Sequence, residues 1–193
     1  MRTTAFRSFP GNGVAASGGV GLLATVPTLI GPFSVITTDP GDDPDGAAAV
    51  LASGWTDDPA ALLWQVAKSM RPGHLRSVRS VPGVTDAAIA YHDGDLTAID
   101  AVPVRQRSAA FRCHALDVLR TVRPGSPVSY SEYAALAGRP AAVRAAAGAC
   151  ASNAAALFVP CHRVLRSDGA LGGFRWGLPV KKWLLSHELA GCP

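Results

Sequence analysis

The sequence predicts an α+β protein in two parts, a mixed first half and a helical, positively charged second half. Hydrophobic residues make up 48% of the 193 residues and charged residues 17%, which supports a sizeable core and argues against global disorder. Residues 1–100 carry six basic and ten acidic side chains, whereas residues 101–193 carry twelve and four. Strand-like segments dominate the first part, and apolar residues recur at helical spacing in the second. We therefore expect two domains, residues 1–104 and 105–193.

The first half contains four segments with the composition of β-strands. They are residues 22–26, 33–37, 47–52 and 100–104. Gly31-Pro32 is a turn signal between the first two strands, and residues 38–46 form an acidic loop. Residues 1–21 are rich in glycine, serine and alanine, and we expect a loose arm there.

A first helix is predicted to start at Asp57-Asp58-Pro59 and to run to about residue 69. An acidic N-cap and a proline in the first turn both favour helix initiation. Residues 70–85 alternate basic and turn residues, and residues 87–91 could form either a helix or a strand.

The second half predicts a helix-turn-helix. Apolar residues first recur at helical spacing at Phe111, Ala115, Val118 and Leu119. Ser129 then caps a short helix over 130–137, and Gly138 is suited to the left-handed position that closes it. A second helix restarts at Arg139-Pro140 and continues to residue 151. Two short helices about a tight glycine turn are typical of a helix-turn-helix.

The second of these helices is built almost wholly from alanine and glycine, with Arg144 as its one long polar side chain. Such a smooth helix could enter a narrow minor groove of DNA. It could equally be a buried helix packed closely on its neighbours, with Arg144 at the surface. The excess of positive charge in this half favours a polyanionic partner such as nucleic acid, although a basic surface without specific use is the alternative.

The cysteines predict free thiols rather than a metal site. Cys113, Cys150, Cys161 and Cys192 form no C-x-x-C pair and have no histidine at zinc-ligand spacing. We see no secretory signal and no apolar run of membrane-spanning length. We therefore expect a cytoplasmic monomer that needs no metal or organic cofactor.

The stretch from Phe158 to Leu165 contains the best nucleophile candidate in the chain. A short apolar run ends at Pro160, and Cys161, His162 and Arg163 follow directly. Neighbouring cations lower the pKa of a cysteine, and the thiolate is the reactive form. The alternative is a small buried cysteine at a strand end with two solvated neighbours.

Residues 105–190 resemble the O6-alkylguanine-DNA alkyltransferase family. The resemblance rests on residues whose order and spacing match the family. They are Ser129-Tyr130, 134–140, Arg144, Asn153, Pro160-Cys161-His162-Arg163-Val164, Gly169, Gly172, Lys181, Leu184-Leu185 and Glu188. The resemblance implies an RNase H-like N-terminal α/β domain and a winged-helix-like C-terminal domain.

The resemblance also implies a single-turnover repair protein for O6-alkylguanine, and for O4-alkylthymine, in duplex DNA. The damaged base would rotate out of the stack into a pocket. Cys161 would then accept the alkyl group, His162 would take the thiol proton through a water, and Glu188 would orient His162. Tyr130 would hydrogen-bond the base. Asn153, which would link the DNA-binding helix to the active-site strand, and Lys181 beside the pocket complete the expected catalytic residues.

The same resemblance implies DNA contacts and a pocket wall. Arg144 would fill the gap that the rotated base leaves in the duplex. The other expected DNA contacts are Ser129, Ala145, Gly148, Ala149 and Arg163. The expected pocket residues are Val164, Phe174, Arg175 and Trp176. Trp176 stands where the family is usually small, so we expect bulky adducts to react poorly, and Ala154 stands where proline is usual, so we expect a looser link after Asn153.

Two other functions remain as alternatives. The first is a DNA-binding sensor on the same fold that recognises alkylated guanine without reacting. The second is a thiol hydrolase that uses Cys161 and His162 and is unrelated to DNA. The hydrolase leaves the helix-turn-helix and the basic half unexplained.

Overall fold

The computed structural model describes residues 19–41 and 46–191. The strands there are β1 (Val20–Thr28), β2 (Gly31–Thr38), β3 (Val50–Trp55), β4 (His74–Ser77), β5 (Val128–Ser129) and β6 (Val164–Leu165). The α-helices are α1 (Pro59–Leu63), α2 (Thr85–His92), α3 (Ala110–Leu119), α4 (Tyr130–Leu136), α5 (Val143–Ala151) and α6 (Leu178–Gly191). Short 3₁₀ helices cover Lys68–Met70 and Cys161–Arg163. The α+β class is confirmed, whereas most of the predicted loose arm lies outside the described residues.

The first half is organised around a sheet of strand order β3-β2-β1-β4. β1 and β2 form an antiparallel hairpin whose register pairs Thr28 with Gly31, so the turn residues are Leu29 and Ile30. The predicted turn at Gly31-Pro32 is therefore wrong, because Pro32 already pairs with Pro27 inside the ladder. Gly31 has a φ of +115°, which explains why glycine stands where the chain re-enters the strand.

The first predicted helix is shorter than expected and ends at Leu63. Its start is confirmed, since the Asp58 side chain accepts from the backbone N–H of Ala60. The Arg71 guanidinium donates to the carbonyls of Trp64 and Val66, 3.3 and 3.2 Å away. If the helix continued, these carbonyls would accept from backbone N–H groups four residues later. The Arg71 side chain donates to them instead.

Three further predictions about the first half need correction. The third strand begins at Val50 rather than at residue 47, and residues 74–77 pair with β1 as a strand that the sequence did not suggest. The predicted strand at 100–104 is mostly turns, and only Val104 bridges to Val50. Residues 87–91, left open between helix and strand, lie in α2.

The helix-turn-helix is confirmed in α4 and α5. Ser129 and Glu132 form a reciprocal capping box at the start of α4. Gly138 has a φ of +75°, and the backbone N–H of Arg139 donates to Ala134, which closes α4 in the manner of a Schellman motif. α5 begins at Val143, later than predicted, because Pro140 lies in the turn between the helices.

The two halves share one core and one backbone seam. In this seam, the backbone N–H of Ser53 on β3 donates to Ala154 at 2.9 Å, and its hydroxyl donates to Ala156 at 2.7 Å. The segment that leads to Cys161 is thus attached to the sheet of the first half. The boundary near residue 104 stays a prediction. Within residues 19–41 and 46–191, no helix is both long and apolar enough to cross a membrane.

Candidate active site

Cys161 lies at the start of the 3₁₀ turn that comes shortly after residues 154–156, the segment that is hydrogen-bonded to β3. Its sulfur accepts a hydrogen bond from Asn153 Nδ2 at 3.2 Å. Burial raises the pKa of Cys161, and the Asn153 hydrogen bond and the charge of Lys181 counteract only part of that effect. The expectation that adjacent cations lower this pKa is therefore wrong, and the resting group is a neutral thiol that must lose its proton when it reacts.

The amide of Asn153 is oriented by its neighbours rather than free to turn. Its Oδ1 accepts from Ala155 N–H at 3.1 Å and from Gln106 Nε2 at 3.0 Å. Its Nδ2 must then face the carbonyl of Val159, 2.8 Å away, and the sulfur of Cys161. The hydrogen-bond partners thus determine which side of the amide meets the thiol.

Gln106 was not identified from the sequence, because a single glutamine in a basic linker carries no motif. Its Oε1 accepts from Ala154 N–H at 2.7 Å. A proline at 154 could not make this bond, since proline has no N–H. Ala154 therefore does not loosen the link as we expected: Gln106 and Ser53 hold its two backbone groups.

Behind the thiol, four donors from three residues converge on one carboxylate oxygen, Oε1 of Glu188. His162 Nε2 lies 2.8 Å from it, Arg163 Nε and Nη2 donate at 3.0 and 2.8 Å, and the Tyr91 hydroxyl donates at 2.5 Å. Arg163 also donates through Nη1 to the carbonyl of Val122. His162, Arg163, Glu188 and Tyr91 are all buried. This arrangement is a closed polar cluster inside an apolar core.

The electrostatics of this cluster determine the tautomer of His162. Burial raises the pKa of Glu188, but the hydrogen bonds and charges of His162 and Arg163 outweigh it and bring the pKa to about 2. Burial lowers the pKa of His162, so the ring is neutral near pH 7. An ionised carboxylate only accepts, hence Nε2 carries the proton and Nδ1 is left as a base. Nδ1 is buried and makes no hydrogen bond with any described residue.

Lys181 holds the chain beyond the active-site turn. Its buried ammonium donates to the carbonyl of Val164 at 2.7 Å and to that of Leu171. Burial lowers the pKa of Lys181, while the nearby Cys161 acts in the opposite direction. Lys181 therefore fixes the turn at 164–171 and supplies positive charge near the sulfur.

Cys161 opens on a cavity of about 340 Å³. The lining includes three residues of the predicted pocket wall, Phe174, Arg175 and Trp176, together with Tyr130 and Asn153. The hydroxyl of Tyr130 lies close to Gly172, where a Cβ would come within 3.4 Å of it. The predicted pocket role of Val164 is wrong, because its side chain is fully buried and does not line the cavity.

Trp176 joins this cavity to the sheet of the first half. Its indole lies on Gly54 of β3 so closely that a Cβ at Gly54 would be 2.0 Å from Cε2. On the same loop, the Phe174 ring lies 6.2 Å from that of Trp55, and Arg175 donates to the carbonyl of Ala151 at 2.9 Å. The loop from Gly172 to Gly177 thus rests on both halves of the molecule.

The predicted DNA contacts separate into exposed and buried residues. Arg144 and Ala145 are exposed on α5, and Gly148 is partly exposed beside Arg112. Ser129 is partly exposed and caps α4. The predictions for Ala149 and Arg163 are wrong, because Ala149 is fully buried and Arg163 is only 1% exposed, with its guanidinium turned inward to Glu188.

The amino-acid sequence matches a family model and several characterised proteins. A family model for the DNA-binding domain of 6-O-methylguanine DNA methyltransferase matches residues 110–190. The methylated-DNA–protein-cysteine methyltransferase of Shigella flexneri is 37% identical over 119 residues, which are 61% of this chain and 70% of the relative. The chain belongs to the methylated-DNA–protein-cysteine methyltransferase family.

Other members of the family are longer than the matched segment. The Escherichia coli bifunctional transcriptional activator/DNA repair enzyme Ada is 38% identical over 148 residues, 74% of this chain and 40% of Ada. The human methylated-DNA–protein-cysteine methyltransferase is 45% identical over 86 residues, 45% of this chain and 42% of the human protein. The chain thus spans less than half the length of these two relatives.

The fold of the family extends through both halves. The Mycobacterium tuberculosis OGT in complex with DNA superimposes with a TM-score of 0.70 at 26% identity, covering 89% of this chain and 95% of the neighbour. The Mycobacterium tuberculosis O6-methylguanine methyltransferase superimposes with a TM-score of 0.68 at 25% identity, covering 90% and 95%. The likeness includes the first half, beyond residues 105–190 on which the resemblance in sequence rests.

Proposed function

We propose that this protein repairs DNA by transferring an alkyl group from O6 of guanine to the sulfur of Cys161, once per molecule. The single observation that carries the proposal is the Cys161 thiol at the wall of a base-sized cavity, with Asn153 on one side and the His162–Glu188 pair behind it. A neutral, partly buried thiol followed in the chain by a histidine with an unpaired ring nitrogen is suited to proton removal during attack.

The transfer balances as an exchange of an alkyl group for a proton. Sulfur forms a bond to the alkyl carbon as the bond from that carbon to O6 breaks. The thiol proton leaves to Nδ1 of His162, by way of a water, and the imidazolium is stabilised by Glu188. The Tyr130 hydroxyl lies at the cavity and is protonated in the resting protein, because burial raises its pKa, so it can donate that proton to the leaving guanine. The phenolate then regains a proton from solvent as the His162 imidazolium loses one. Guanine thus departs neutral, and the sulfur keeps the alkyl group.

DNA would be bound through the helix-turn-helix. The exposed face of α5 carries Arg144 among small residues, so a narrow groove can approach the helix closely while Arg144 enters the duplex. Rotating the damaged base into the cavity costs about a few kcal/mol of lost stacking. O4-alkylthymine is proposed as a second substrate of the same cavity.

A cytoplasmic location and a monomeric state belong to the same proposal. Cys113, Cys150 and Cys161 are free thiols among the residues the structure describes, which is typical of proteins in a reducing compartment. Equilibrium sedimentation with and without DNA tests the monomeric state.

The decisive experiment is mass spectrometry after mixing the protein with duplex DNA that carries one O6-methylguanine. We expect the peptide that contains Cys161 to gain the mass of one methylene, at one equivalent and no more. Cys161→Ala should keep DNA binding and gain no mass. An unchanged wild-type mass together with tight binding to the damaged duplex would instead support the damage sensor, and gain on another peptide would contradict Cys161 as the acceptor.

A further inference from the structure

The polar cluster behind the thiol includes a residue from the first half that no motif indicates. Tyr91 lies on α2, is fully buried, and its hydroxyl donates to Glu188 Oε1 at 2.5 Å. The two residues are 97 positions apart in the sequence. This hydrogen bond is on the same oxygen atom to which His162 is bound.

Tyr91 is held in place by more than its hydroxyl. His187, the residue before Glu188 on α6, donates through Nε2 to the backbone carbonyl of Tyr91 at 2.7 Å. The Tyr91 and His187 rings lie 5.6 Å apart, and the Tyr91 and His92 rings 5.7 Å apart in an edge-on arrangement. His187 and Glu188, two successive residues of α6, thus both hydrogen-bond Tyr91 of α2, which defines the position of its hydroxyl.

Tyr91 shares one oxygen atom of the Glu188 carboxylate with the other donors of the cluster. Glu188 Oε1 accepts from every partner of this carboxylate in the cluster, while Oε2 is buried and has no hydrogen-bond partner among the described residues. The donors on Oε1 therefore compete for the same electron density. Burial, and then the charge of Glu188, raises the pKa of Tyr91, so its phenol remains a donor at every working pH.

We propose that Tyr91 is a positioning residue for the alkyl-transfer reaction: its phenol holds the Glu188 carboxylate and limits how strongly that carboxylate attracts the proton of His162. The proposal rests on the function proposed above. The charged and titratable groups around His162 are Glu188 and Lys181 from α6, Tyr91 from α2, and the adjacent Cys161 and Arg163.

Removing the hydroxyl should make His162 more basic. In Tyr91→Phe, Glu188 keeps its three bonds from His162 and Arg163, so its charge stays paired, but less of its negative charge is shared with a fourth donor. The imidazolium form of His162 is then better stabilised. We expect the His162 titration to move up by about one pH unit, the size that loss of a hydrogen bond to a charged group produces.

The test measures His162 directly and the reaction separately. The His162 ring is followed by NMR in protein labelled at histidine, assigned with His162→Gln, in wild type, Tyr91→Phe and Tyr133→Phe. Tyr133 is the matched control, since it is fully buried and its hydroxyl donates at 2.7 Å to the carbonyl of Ala115, away from Glu188. The single-turnover rate of methyl transfer is recorded over the same pH range.

The proposal predicts that Tyr91→Phe raises both the His162 midpoint and the acid limb of the rate profile, while Tyr133→Phe moves neither. A purely structural role would lower stability in both variants and leave both midpoints unchanged, which would overturn the proposal. In wild type, the Tyr91 hydroxyl resonance should follow the His162 titration, and an invariant resonance would also overturn it. Absence of methyl transfer by wild type at every pH would refute the proposed function instead, with the His162 titration still reporting on Tyr91.

Discussion

Gly54 has no room for a larger side chain, because the indole of Trp176 lies directly on it. An alanine Cβ at Gly54 would lie 2.0 Å from Cε2 and 2.1 Å from Cζ2 of the indole. Carbon atoms in ordinary contact are separated by at least about 3.5 Å, so the overlap is about 1.5 Å and the indole must move. Gly54 lies inside a paired strand, whereas Trp176 lies on a loop, hence the loop should yield.

We expect Gly54→Ala to lower the free energy of unfolding by about 1–3 kcal/mol, the usual cost of overpacking. Pushed off the sheet, the indole moves toward the cavity that it lines, so transfer from a bulky O6-benzyl adduct should slow more than transfer from O6-methylguanine. Trp176→Gly removes the obstacle and should speed transfer from the bulky adduct. In that background, Gly54→Ala should cost little, because its clash partner is gone.

The assay is a double-mutant cycle in urea unfolding, with single-turnover rates for both adducts. The structure predicts a coupling of at least about 1 kcal/mol between the two positions. Gly173→Ala is the control for stability, since no atom lies within 4 Å of a Cβ there. Additivity within about 0.5 kcal/mol, or equal slowing for both adducts in Gly54→Ala, would show that the indole is not displaced toward the cavity.

Three other outcomes are expected. Arg144→Ala should reduce repair in duplex DNA far more than reaction with a free O6-alkylguanine base, because the residue acts on base extrusion; equal losses would contradict that role. Gln106→Met should slow methyl transfer about tenfold, since Asn153 loses the partner that aims its Nδ2 at the thiol, and an unchanged single-turnover rate would contradict it. The free energy of unfolding should fall as the pH decreases below about 6.5. The pKa values of His162 and Glu188 are lowered in the folded protein, so the unfolded chain binds more protons at these two residues. A urea midpoint independent of pH between about 7.5 and about 4 would contradict this.

The local part of the fold could be predicted because its signals are local. Ser129, Gly138 and Asp58 act on backbone groups a few residues away, so the capping box, the closing turn and the start of α1 follow from nearby residues. Ends that depend on distant partners could not be predicted in this way. α1 ends at Leu63, and the carbonyls of Trp64 and Val66 just beyond it accept from Arg71, a contact that composition does not indicate.

The site shows the same division. Cys161 and His162 stand in a motif, and the sequence was sufficient to single them out. The family resemblance implied a DNA contact for Arg163, yet its guanidinium turns inward to the charge of Glu188. The expectation that its chain neighbours lower the pKa of Cys161 was also wrong, because burial of the thiol raises it.

The amino-acid sequence is enough to define the available chemistry: a cysteine, a histidine and a carboxylate, a helix-turn-helix, and a basic second half. How these groups are held depends on contacts between distant parts of the chain. Tyr91 reaches Glu188, Gly54 receives Trp176, and Gln106 turns Asn153. The physical reason is that hydrogen-bond direction and close packing depend on distances across the fold, and residues 47 to 122 positions apart acquire those distances only when both halves pack into one core.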